Sequence, residues 1–141
     1  MTMNKSIFSR LLLVFSFLSF HCLVYSGNEN REFELQRVKL ASRIESLFIE
    51  HGHCQSIGDC RSKKMLSISP GIAGLDIKIY SIRNEVLLKY IFDTCLEAYL
   101  ENSREMGIRL NAYTTSMDDY LALKFWQSAR PIYSGSFMAD K

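Results

Sequence analysis

The chain has 141 residues, 17 Lys plus Arg against 15 Asp plus Glu, and 48% hydrophobic residues. That length supports one hydrophobic core and excludes a second of useful size. A net charge of only +2 excludes the concentrated basic excess on which sequence-independent nucleic-acid binding depends.

Residues 1–26 carry the features of an export signal. Lys5 and Arg10 form a short positive start, LLLVFSFLSF (11–20) is an apolar run interrupted only by serine, and Val24-Tyr25-Ser26 places a small residue just before Gly27. The run is shorter than the roughly 20 residues of a spanning helix. Ser19-Phe20-His21 before Cys22 does not match the small residues that precede a lipid-modified cysteine in bacterial lipoproteins. Cleavage at Ser26 is therefore expected, leaving 27–141 as one soluble domain in the periplasm or secreted. It takes Lys plus Arg from 17 to 15, level with the acids, and removes one of the four cysteines. No second long apolar run follows, so no membrane span is expected in the processed chain.

From Arg31 to Ile49, Phe33, Arg37, Leu40, Ile44, Leu47 and Phe48 trace a mostly apolar stripe at helical spacing, predicting a long amphipathic helix that ends before Gly52. Cys54 to Lys64 is polar and cysteine-bounded and reads as a loop. Met65 to Ser69 reads as a short strand, and residues 70–74 (PGIAG) as a five-residue connection. Leu75, Ile77 and Ile79 then alternate with Asp76, Lys78 and Tyr80 in the period of a half-buried strand. Ser81 or Asn84 caps a helix running to about Arg104, with Leu88, Ile91, Cys95, Ala98 and Tyr99 on its inner stripe, and Gly107 closes the connection that follows. Ile108, Leu110 and Ala112 alternate with Arg109, Asn111 and Tyr113 as a further strand. Ser116 and Asp119 form a capping-box-like start to a last helix that stops before Pro131. Residues 132–141 either add a short edge strand or stay loose. The order is α-β-β-α-β-α: an α+β domain with a small antiparallel or mixed sheet and helices mainly on one face.

The processed chain keeps Cys54, Cys60 and Cys95. In an oxidising compartment the loop pair Cys54 and Cys60 is expected to form a disulfide, with pairing of one of them to Cys95 as the alternative bond; the loop pair leaves Cys95 as a buried thiol on a helix stripe. The competing reading is a metal site of His51, His53, Cys54 and Cys60, since imidazole and thiolate suit zinc or copper. Its spacing matches no common zinc framework, and a disulfide would remove both thiolates. A cysteine nucleophile meets the same objection. Ser134-Gly135-Ser136 lacks the strand-turn-helix setting of a nucleophile elbow.

The outward positions of the two clearest strands are Asp76, Lys78 and Tyr80, and Arg109, Asn111 and Tyr113. With helices on the opposite face they would form a charged and aromatic surface of the kind that anchors protein contacts. Trp126 and Phe125 lie in a last helix that is apolar around much of its circumference. Such a helix is buried in the core or covers itself against another molecule, including a second copy of the chain. No catalytic signature and no cofactor motif stands out. The expectation is a small, exported, non-enzymatic protein that binds another envelope or extracellular protein, as an inhibitor, an immunity factor or an assembly accessory does. A periplasmic metal-binding protein is the alternative, and a small hydrolase with a dispersed site is the third.

Overall fold

Three stretches of alternating sequence and one serine- and glycine-rich stretch become the strands of a single sheet in the computed structural model, which describes residues 31–71, 74–126 and 129–138. The segment read as an export signal, residues 1–26 with Cys22, lies outside the described residues. Two units are distinguished along the chain, Met1–Gln36 and Arg37–Lys141. Of the first, the described residues 31–36 are helical, with Gln36 Nε2 donating to Glu32 Oε1 at 3.2 Å. Residues from Arg37 onward belong to the second.

The first helix, α1, spans residues 31–50. Leu40, Ile44 and Phe48, at helical i, i+4 spacing, are fully buried, as the stripe predicts. The helix ends on Gly52, whose φ of 75° is left-handed. Gly52 N–H donates to the Ile49 carbonyl at 3.0 Å and His53 N–H to the Phe48 carbonyl at 2.8 Å, satisfying carbonyls left free by the last turn.

The cysteine-bounded stretch contains a short helix where a loop was expected. This helix, α2 (Ile57–Ser62), is capped by Ser56, which accepts from Asp59 N–H, while the Asp59 carboxylate accepts from Gln55 N–H at 2.8 Å. Reciprocal capping gives this six-residue segment a defined start that its sparse apolar content does not reveal.

Strands β1 (Leu66–Gly71) and β2 (Gly74–Ile79) form an antiparallel hairpin. Pairing runs through Pro70↔Leu75 to Gly71↔Gly74, so the expected five-residue connection is largely strand. Gly74 has a φ of 156°, and a Cβ there would overlap the backbone of Gly107. A side chain at this point would separate β2 from its neighbour.

Helix α3 (Glu85–Glu101) is capped by Asn84, whose Oδ1 accepts from Val86 and Leu87 N–H. Ser81 instead takes a positive φ of 59° in the connection. Leu87, Leu88, Ile91, Cys95 and Ala98 form the buried stripe. Strand β3 (Gly107–Ala112) then pairs parallel to β2, with Gly107 as its first residue. Helix α4 (Met117–Phe125) is capped by Ser116, which accepts from Asp119 N–H at 3.1 Å. Finally β4 (Tyr133–Phe137) pairs antiparallel with β3, giving a mixed sheet in the order β1-β2-β3-β4. Among the described residues the result is an α+β fold of four helices and four strands, in which α2 is the element the sequence did not suggest and β4 is the edge strand offered for the tail. Among the described residues no helix is long and apolar enough to cross a membrane.

Candidate functional site

The alternation in each strand divides the sheet into two unlike faces. On one, Leu75, Ile77, Ile79, Ile108, Leu110 and Ala112 are at most 2% exposed. Phe92 and Tyr99 of α3 cover the β4 side of this face, against Tyr133 and Phe137 at centroid distances of 5.0 to 6.0 Å. Arg43 of α1 bridges to Glu97 and Glu101 of α3, tying the two long helices together.

The opposite face is polar in every strand. The register aligns Ser67, Lys78, Asn111 and Ser134 in one row, and Ser69, Asp76, Arg109 and Ser136 in the next. Arg109 Nε lies 3.8 Å from Asp76 Oδ1, its side chain 61% exposed. Ser134 Oγ donates to Asn111 Oδ1 at 2.8 Å. A third row, Gly71, Gly74 and Gly107, has no side chains at all. The surface is thus bare at one end and charged in its middle.

Its other end is closed. Tyr80 and Tyr113 continue the outward parity of β2 and β3 but are only 2% and 5% exposed, which corrects their expected place on an open surface. They lie one residue beyond their strands, where α4 lays Tyr120 over them at centroid distances of 5.4 and 4.4 Å. The two rings stack on each other at 5.6 Å. Met117 and Ala129 pack around the trio. Burial pushes the Tyr80 phenol up to about 12. Burial, and the Tyr120 hydrogen bond after it, raise Tyr113 as well. Lys78 remains at the boundary, its Nζ 5.5 Å from the Tyr120 ring centroid, within the range of a cation–π contact. Of the six candidate partner-binding residues, Asp76, Lys78, Arg109 and Asn111 therefore share one open surface, and Tyr80 and Tyr113 support it from beneath α4.

That helix contributes an exposed apolar area of its own. Tyr120 is deeply buried, whereas Leu121 is 56% and Trp126 77% exposed. Trp126 is the C-cap residue, so of the two settings expected for it the core is not the one it takes.

The loop cluster is arranged differently. Cys54 and Cys60 form the disulfide pair, with Cα atoms 5.2 Å apart and both residues buried; that Cα separation suits a disulfide. The Cys54 sulfur lies 3.6 Å from the Met65 sulfur. His51 packs on the Tyr90 ring at 5.4 Å, and the His53 carbonyl accepts from Lys63 Nζ at 2.9 Å. The two cysteine sulfurs are thus taken up by each other and the His51 ring by Tyr90, and among the described residues no group of three or more His, Cys, Asp or Glu side chains is arranged to hold a metal ion. Beside the disulfide, the buried Glu45 carboxylate accepts from Arg61 Nε at 3.0 Å, an ion pair that the helical stripe did not signal. Cys95 is fully buried, and desolvation pushes its thiol up to about 12, far from the thiolate that nucleophilic chemistry uses.

A cleft of about 700 Å³ opens at the start of α3, with Leu88 and Phe92 in its lining and Arg83, Glu85, Lys89 and Thr114 as its polar groups. Both charge signs are present, and no single ligand chemistry is favoured by them. No known protein family matches this chain, and no characterised protein or solved structure shows a significant similarity to it.

Proposed function

We propose that this is a small, exported, non-catalytic binding protein that engages another protein of the cell envelope or the extracellular space through the open face of its sheet. The observation that carries the reading is the two aligned polar rows, with Asp76 and an Arg109 side chain that is 61% exposed at their centre. A sheet face with one exposed arginine, a lysine held over an aromatic ring and flanking serines offers directional hydrogen bonds on a rigid support. Arginine is a residue type over-represented among dominant interface contacts. Leu121 and Trp126, exposed on the helix that closes one end of this face, add the apolar anchor that such a contact uses.

The test is affinity capture from native envelope extract with the processed chain, compared with an Arg109→Ala/Asn111→Ala variant. Both side chains are on the open face, so the variant should keep its fold. Its apparent affinity for the captured protein should fall about tenfold or more. Capture of the same protein at undiminished affinity would eliminate this face as the binding surface.

A further inference from the structure

We propose that the protein self-associates through β4, two copies pairing antiparallel about a two-fold axis at Gly135 to make one continuous eight-stranded sheet. β4 is the last strand in the sheet order among the described residues, so one side of its backbone has no strand neighbour. Proteins usually guard such an edge with proline, charge or a bulge. The opposite edge follows this pattern: β1 contains Pro70 and is preceded by Lys63 and Lys64. The β4 edge does not. Residues 131–138 (PIYSGSFM) contain no charged side chain, and their one proline precedes the strand.

The occupant is indicated by the strand itself. Residues 132–138 read apolar, aromatic, serine, glycine, serine, aromatic, apolar from either end. Antiparallel pairing about Gly135 sets Tyr133 against Phe137 of the second copy, and Ser134 against its Ser136. Directly opposed residues share a sheet face. The aromatic pairs therefore meet on the covered face, where Phe92 already packs against both rings, and the serines meet on the open face. Ile132 and Met138, 51% and 68% exposed, come opposite each other at the two ends. A two-fold axis through a charged strand would bring like charges close together; this strand has none to oppose. Such self-complementarity is what an isologous interface requires. The pairing stands whether or not the open face binds another protein. Where both hold, the row ending Asp76, Arg109, Ser136 runs on into Ser134, Asn111 and Lys78 of the second copy.

Sedimentation equilibrium of the processed chain between about 1 μM and about 1 mM decides the matter. The wild type should approach twice the monomer mass. Ser134→Lys/Ser136→Lys opposes lysines on both sides of the axis and should raise the dissociation constant about tenfold or more while leaving the circular dichroism unchanged. Ser134→Glu/Ser136→Glu should behave likewise alone, and an equimolar mixture of the two variants should recover the dimer mass. A wild type that stays monomeric at the highest concentration overturns the proposal. So does a dimer unaffected by the lysine pair, as contact through Leu121 and Trp126 would give, and so does a mixture that fails to associate.

Discussion

Tyr80 and Tyr113 show how a residue's setting is decided by what lies beyond its own strand. Period-two alternation assigns both to the outer face correctly, yet neither is exposed, because Tyr120 arrives from an element some forty residues after Tyr80. Burial makes the neutral phenol the favoured form in the folded state. An unfolded tyrosine loses its proton near pH 10, whereas Tyr80 holds its proton to about 12 and Tyr113 is shifted the same way. Above pH 10 the unfolded chain therefore releases protons that the folded chain retains. The stabilisation from this pair is complete below pH 10 and is lost as pH rises toward and through 12. The urea midpoint should be level between pH 7 and pH 9 as far as these residues are concerned, then fall steeply, and Tyr113→Phe should make that fall shallower. An alkaline limb identical in the variant would show that Tyr113 is not the group responsible.

At the scale of elements, local chemistry was legible wherever caps and periodicity agreed. Asn84 and Ser116 start α3 and α4 as their sequences suggest, and the Leu40–Ile44–Phe48 stripe of α1 is the buried one. α2 was hidden because Ile57 and Cys60 are its only apolar residues; Ser56, Asp59 and the disulfide define it instead. β4 was faint for a similar reason, since serine and glycine fill its centre and its placement depends on Phe92 and Tyr99 of another element. Two substitutions separate the contributions to α1. Phe48→Ala removes a ring with no exposed surface and should cost about 3–5 kcal/mol. Gly52→Ala meets no atom within 4 Å of the added carbon, so its cost comes from the left-handed backbone alone, roughly 1–2 kcal/mol. Urea unfolding of the two variants measures both; equal costs would mean that the added methyl at Gly52 does more than strain the left-handed backbone.

For the molecule as a whole, the sequence revealed which residues share the open face but not that α4 closes one end of it, because that closure is a tertiary contact with no local signature. The same distinction between local and long-range order governs the disulfide. Cys54 and Cys60 are six residues apart and lie in the segment between α1 and β1, whereas β2, β3 and α3 meet through contacts that do not pass through that segment. A loop this short restrains the unfolded chain little, which places its contribution at about 2 kcal/mol. The Cys54→Ala/Cys60→Ala variant should therefore remain folded and lose about that much. Hydrogen exchange should accelerate in α2 and at the Arg61–Glu45 pair while the amides of β2 and β3 stay protected, since regions with few long-range contacts open independently of the core. Thiol titration under denaturing conditions supplies the control: the wild-type chain prepared as residues 27–141 should show one reactive thiol, Cys95, and none before unfolding, because that residue is fully buried and its thiol is held neutral. If exchange instead rose uniformly across the sheet, the corner around the disulfide would belong to the same cooperative unit as the core, and the ion pair of buried Glu45 with the exposed Arg61 would be a contact that links them.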